Sequence, residues 1–179
     1  MEQDIKKILL QESTILSRLD QMAQQITEDF QDKPNITVIS ILNGSFVFMA
    51  DLLRRIKLPL QIDCWSVSSY HGTKSTGKLN FRQHEIADVK NRHVLLLDDI
   101  LDSGLTLATI KERLLYEKSA ESVSCCVLLE KNVQRSAEIK ADYVGFKIEN
   151  EFVVGYGLNF KENYRNLPYI GVLKEECYL

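Results

Sequence analysis

Between residues 94 and 107 the chain reads VLLLDDILDSGLTL, and this stretch constrains the fold more than any other. The apolar run Val94–Leu97 reads as a strand of a parallel sheet, buried on both faces. Asp98 and Asp99 follow at its carboxyl end, Asp102 comes three positions later, and Ser103-Gly104-Leu105-Thr106 leads into a helical pattern. In open α/β sheets that edge is where ligands bind, and a short loop entering a helix there offers unpaired N–H groups to an anion. The stretch therefore predicts a phosphate cradle with carboxylates beside it.

The flanking sequence supplies the rest of such a sheet. Ile8–Leu10 reads as a short strand, and Ser13 or Thr14 as the cap of a helix with Ile15, Leu19, Met22 and Ile26 on one face, ending before Asp32-Lys33-Pro34. Ile36–Leu42 is a β-branched strand, turned by Asn43-Gly44-Ser45 into an apolar helix over Phe46–Ile56 with Asp51, Arg54 and Arg55 exposed. Leu60–Tyr70 reads as a strand, and the polar segment His71–His84, with two glycines and no helical period, as a long mobile loop or loose hairpin. A helix from Leu105 to Lys118 carries Leu107, Ile110 and Leu114. Val123–Leu129, Tyr143–Ile148 and Phe152–Tyr156 read as further strands. Strands alternating with helices imply an α/β fold with a mainly parallel sheet.

At 179 residues the chain is expected to form a single domain over residues 1–179. A net charge of -3 gives no electrostatic footprint for nucleic acid or an anionic membrane, so neither is expected as a partner. Cys64, Cys125, Cys126 and Cys177 form no zinc-type spacing, and the adjacent pair in an apolar strand reads as core filler. The opening MEQDIKKILLQES lacks a signal-peptide core, and no segment reaches transmembrane length. The expected location is the cytoplasm.

The loop from Asp102 to Thr106 is too short for the Gly-x-x-x-x-Gly-Lys of a nucleoside triphosphatase. Two hydroxyls, a glycine and a helix N-terminus suit one phosphate monoester. Asp98 and Asp99 suit the vicinal hydroxyls of a ribose, or Mg²⁺ held through water. The bland alternative makes Asp102 a helix cap and the acid pair a solvated strand end. Three acids with Ser-Gly-x-Thr directly after a buried strand outweigh it.

VLLLDDILDSGLT resembles the phosphoribosyl-diphosphate motif of type I phosphoribosyltransferases. Three other stretches resemble the hypoxanthine-specific members: ILNGSFVFMADL their early loop and helix, SSYHGTKSTG their flexible catalytic loop, and KADYVGF with EFVVGYGLNFKENYRNLPYIGVL their purine-binding segment. The resemblance covers nearly the whole chain. It implies the type I phosphoribosyltransferase fold, a parallel sheet flanked by helices with a small hood of N- and C-terminal segments. It also implies transfer of the phosphoribosyl group from phosphoribosyl diphosphate to a 6-oxopurine base in purine salvage.

Roles follow from the same resemblance. The 5′-phosphate would be held by Asp102, Ser103, Gly104, Leu105 and Thr106, and the ribose and Mg²⁺ by Asp98 and Asp99. Pyrophosphate would meet the Asn43-Gly44 amides, in a turn that sometimes holds a cis peptide, and Arg165. Many relatives carry lysine where this chain has Asn43, so a side-chain cation is missing there. Asp102 matches the general base at purine N7, Lys140 the donor to the C6 oxygen, Phe152 the stacking ring and Val153 the backbone contact to the base edge. Ser69 and Tyr70 match the closing loop. Asn159 stands where relatives carry an aspartate that reaches a second Mg²⁺ through water. The resemblance further implies a homodimer or homotetramer, with Phe46–Ile56 as a contact surface. Two rivals remain: a regulatory member of the fold that binds without turnover, and a transferase for adenine or a pyrimidine.

Overall fold

A computed structural model describes residues 1–68, 80–81 and 87–178. Nine strands form among them: β1 (Ile5–Leu10), β2 (Ile36–Leu42), β3 (Gln61–Ser68), β4 (Asn80–Phe81), β5 (His93–Leu101), β6 (Ser122–Lys131), β7 (Tyr143–Ile148), β8 (Val153–Val154) and β9 (Ile170–Leu173). The helices are α1 (Glu12–Phe30), α2 (Phe46–Leu53) and α3 (Leu105–Glu112), the last continued by one π turn over Arg113–Glu117.

Two sheets result. Six strands lie in the order β4-β3-β2-β5-β6-β7, with β3, β2, β5, β6 and β7 all parallel and only β4 antiparallel. A separate antiparallel sheet, β1-β9-β8, joins the two ends of the chain and forms the hood. The expected α/β arrangement with a hood is therefore present.

The apolar runs are continuous because both faces of the large sheet are covered. Leu95 and Leu97 pack with Ile15, Leu19, Met22, Ile26 and Phe30 of α1 and Phe48 and Leu52 of α2. Val94 and Leu96 point the other way, toward Leu107 and Ile110 of α3 and Leu114 beyond it. The same parity separates Val38 from Ile39 and Cys126 from Cys125, so the cysteine pair is core filler.

Several expectations need correction. Gln11, with no side-chain bond, precedes α1, so Ser13 and Thr14 lie inside its first turn rather than capping it. β1 begins at Ile5 because its pairing with β9 extends that far. Helix α2 stops at Leu53, and Asp51 and Arg55 are half-buried rather than exposed: the Asp51 carboxylate accepts from Tyr156 Oη at 2.5 Å and from Arg54, and its backbone carbonyl accepts from Arg55 Nη1 at 2.7 Å. The segment between β6 and β7 crosses over without a helix. Phe152–Tyr156 reduces to Val153–Val154, because Gly155, Tyr156 and Gly157 all take positive φ. Residues 80–81 pair antiparallel with β3, in keeping with the hairpin alternative; the rest of His71–His84 lies outside the described residues.

Candidate active site

Strand β5 does not stop at Leu97; it runs through both acids to Leu101. Its alternation breaks there. Leu95, Leu97 and Ile100 pack on the α1 and α2 side, whereas Leu96 and Leu101 pack on the α3 side. Asp98 and Asp99 occupy this break, and each carboxylate accepts from the next backbone N–H, Asp99 N at 3.0 Å and Ile100 N at 2.8 Å. Burial pushes the Asp98 carboxyl well above the usual range, and the neighbouring charge of Asp99 adds to it. Burial also raises Asp99, against the opposing effect of its hydrogen bonds to Asp98 and the Ile100 N–H and, least, of the Arg165 cation.

The turn after β2 comes up against this pair. The Leu42–Asn43 peptide is cis, Ser45 Oγ bonds to Ser40 Oγ at 2.7 Å and to the Ile41 carbonyl, and both serines are buried. A Cβ on Gly44 would overlap the Asp99 carboxylate. On the other side of the turn a Cβ on Gly157 would overlap the Gly44 carbonyl, and Gly157 has φ 101°. Gly157 thus satisfies two demands that only glycine meets, contact with backbone and a left-handed conformation. Its own carbonyl accepts from Arg165 Nη1 at 2.8 Å, while Arg165 Nη2 faces Glu162 at 3.2 Å. Residues far apart in the chain therefore form one continuous row: Asp98, Asp99, Gly44, Gly157 and Arg165.

Below the acids, Gly104 with φ 80° is the N-cap of α3. Asp102 is therefore not the helix cap. Ser103 Oγ accepts from Leu105 N at 3.4 Å, and the Ser103 carbonyl accepts from Ser136 N and Ala137 N, which ties the loop to the crossover segment. The first-turn N–H groups of α3, Leu105 and Thr106 included, face the anion-favouring end of the helix.

Asp102 is exposed, and its carboxylate pairs with Lys131 Nζ at 2.9 Å. The parallel register explains the meeting: Leu101 lies opposite Glu130, so the next residues of the two strands fall together. Lys131, whose side chain is only 13% exposed, is the candidate site residue that sequence reading missed. Its signal was present, a lysine closing an apolar strand, but it meant nothing without the register. Lys140 is exposed in the crossover segment, beside Val133 and Arg135, and makes no ion pair among the described residues. The cation paired with Asp102 is Lys131.

The hood places Phe152 and Val153. Val153 is buried in β8, and Phe152 stacks on Tyr178 with ring centres 4.7 Å apart. Asn159 is half-buried and donates to Glu162 at 3.4 Å, so it shares that carboxylate with Arg165. Ser69 and Tyr70 lie outside the described residues.

The donor set can be tested against Mg²⁺. Among the described residues no group of three or more acids, histidines and cysteines gathers, so a metal cage made by protein alone is absent. Mg²⁺ is more often held by one or two carboxylates together with substrate phosphates. Two adjacent, poorly solvated carboxylates with one arginine nearby fit that mode.

Comparison with known proteins agrees with this geometry. A family model described as phosphoribosyl transferase domain matches residues 6–161. The chain is 48% identical over 179 residues to the hypoxanthine-guanine phosphoribosyltransferase of Streptococcus pneumoniae, covering 99% of this chain and 98% of that one. The Staphylococcus epidermidis protein of the same name is also 48% identical, with 99% of each covered. Among solved structures, a hypoxanthine phosphoribosyltransferase from Staphylococcus aureus superposes with TM-score 0.93 at 46% identity, covering 100% of this chain and 97% of that one. One from Trypanosoma cruzi superposes with TM-score 0.91 at 34% identity, covering 99% and 100%.

The row across Gly157 yields a prediction. Gly157→Ala combines backbone overlap with an unfavourable φ and is expected to cost roughly 2–4 kcal/mol of stability. Denaturant unfolding measures it, and a cost below about 0.5 kcal/mol would show that the turn is not held against Gly44.

Proposed function

The chain belongs to the phosphoribosyltransferase family, and we propose that it transfers the 5-phosphoribosyl group of phosphoribosyl diphosphate to N9 of a 6-oxopurine, hypoxanthine or guanine. The products are the nucleoside 5′-monophosphate and pyrophosphate. The observation that carries the reading is the Asp102–Lys131 pair at the end of the phosphate loop. A 6-oxopurine presents on one edge an acceptor, the C6 oxygen, beside a donor, N7–H. An ammonium and a carboxylate side by side complement that edge, and the carboxylate can take the N7 proton as N9 attacks C1. Adenine offers an amino group at C6 instead, which leaves the ammonium facing another donor.

The remaining residues fall to the other parts of the substrate. The amides of Ser103 to Thr106 and the two hydroxyls suit the 5′-phosphate, and Asp98 and Asp99 suit the ribose hydroxyls. The Asn43-Gly44 turn and Arg165 suit pyrophosphate, whose charge grows as the C1–O bond breaks. Mg²⁺, when bound at Asp98 and Asp99 with the diphosphate, supplies charge neutralisation for that leaving group. Phe152 offers a stacking face to the base and Val153 its backbone. Anchoring the phosphate and the base on separate elements holds N9 near C1 and lowers the entropic part of the barrier.

We read the protein as a single-domain, cytoplasmic enzyme acting as a homodimer or homotetramer. The exposed side chains of Phe46 and Ile62 support self-association, and all four cysteines are unpaired, as a reducing compartment would keep them.

The test is a rate assay with phosphoribosyl diphosphate, Mg²⁺ and each of hypoxanthine, guanine, xanthine and adenine. Monophosphate should form from 6-oxopurines and not from adenine. Lys131→Ala should lower kcat/KM for the base by about 10²-fold, and Lys140→Ala, which removes the donor to the C6 oxygen that the resemblance implies, should lower it as well. Tight phosphoribosyl diphosphate binding without turnover on any base would instead favour a regulatory member of the family.

The neutral Asn159 leads to a separate expectation. Restoring a charge beside Arg165 and Glu162 by Asn159→Asp should lower the Mg²⁺ concentration giving half-maximal rate. An unchanged metal titration would count against any link between this position and the metal.

A further inference from the structure

We propose that Tyr178 positions the purine base by fixing the plane of Phe152. The inference rests on the reading of Phe152 as the stacking platform and goes beyond it, because it assigns a role to a residue outside the motif-bearing segments. Phe152 immediately precedes β8 and is half-buried, so its main chain is set by the hood while its ring needs separate support. Two aromatic neighbours provide it. Phe160 stands perpendicular to the ring, with centroids 5.5 Å apart and planes at 89°. Tyr178 lies flat against one face, at 4.7 Å and 19°.

These contacts have different consequences for a ligand. The Tyr178 stack takes one face of Phe152, so a base would stack on the other. A ring held by one perpendicular and one parallel neighbour has little freedom to tilt about its side-chain bonds. The base then meets a platform whose ordering cost is already met.

The segment carrying Tyr178 is fastened for this purpose. Lys174 N donates to Asp4 O at 2.9 Å, and a short 3₁₀ turn over Glu175–Cys177 follows, with Tyr178 N donating to Glu175 O at 3.1 Å. Tyr164 Oη donates to the Asp4 carboxylate at 3.1 Å, so Asp4 ties this segment to the same loop that bears Phe160 and Arg165. Stacking needs only the ring of Tyr178. Its hydroxyl has no part in the proposal, which makes phenylalanine the conservative replacement.

Steady-state kinetics of the full chain with hypoxanthine and phosphoribosyl diphosphate tests this, using Tyr178→Leu, Tyr178→Phe and Phe152→Leu. Leucine at 178 fills volume without a flat face, so it should raise KM for the base up to about tenfold and leave KM for phosphoribosyl diphosphate and the thermal midpoint near the parent's. Tyr178→Phe should restore the parent KM. A base KM that is unchanged in Tyr178→Leu while Phe152→Leu raises it would overturn the role of Tyr178 alone. A lowered base KM would also overturn it, because Tyr178 would then occupy the face the base needs. Equal rises in both KM values would mark a general structural effect and reject positioning. No change in either leucine variant would remove the platform reading itself.

Discussion

Burial of β5 on both faces is the constraint from which the rest of the site follows. A strand covered by α1 and α2 on one side and α3 on the other has no tolerance for a charge until it reaches the sheet edge. The acids appear only after four buried residues, at the place where the alternation breaks. Their position is costly even there, as the raised Asp98 carboxyl shows. On the proposed reading, substrate hydroxyls and a dication would be the partners of these carboxylates.

The hood matters because it supplies groups that the sheet edge cannot. Arg165 belongs to the loop between β8 and β9, and it binds the carbonyl of Gly157, which itself lies directly on the Gly44 carbonyl beside Asp99. Tyr156, between two positive-φ glycines, adds a hydroxyl bond to Asp51 of α2, which also fixes Arg54 and Arg55. Hood and sheet thus meet through close backbone contact and a shared carboxylate.

Much of this was legible in the sequence. β2 and β7 have the boundaries their apolar runs imply, the buried face of α1 follows its periodicity, and the loop entering α3 follows β5 where the acid and Ser-Gly-Leu-Thr pattern puts it. What escaped depends on pairing between distant segments. β9 is four residues, too short for alternation to declare itself, and it is a strand because β1 lies beside it from the opposite end of the chain. The Asp102–Lys131 pair could not be read ahead, since it rests on the register between β5 and β6. The side chain of Asp51 looked solvent-facing on its helix until the hood covered it.

The claim that these groups form a single phosphoribosyl site is tested most directly by a crystal structure of the protein with inosine 5′-monophosphate. The account places the phosphate on the amides of residues 103–106, the ribose hydroxyls at Asp98 and Asp99, and the base with its O6 and N7 edge at Lys131 and Asp102 and one face on Phe152. A nucleotide bound with its phosphate away from that loop, or with its base turned from Lys131, would contradict it.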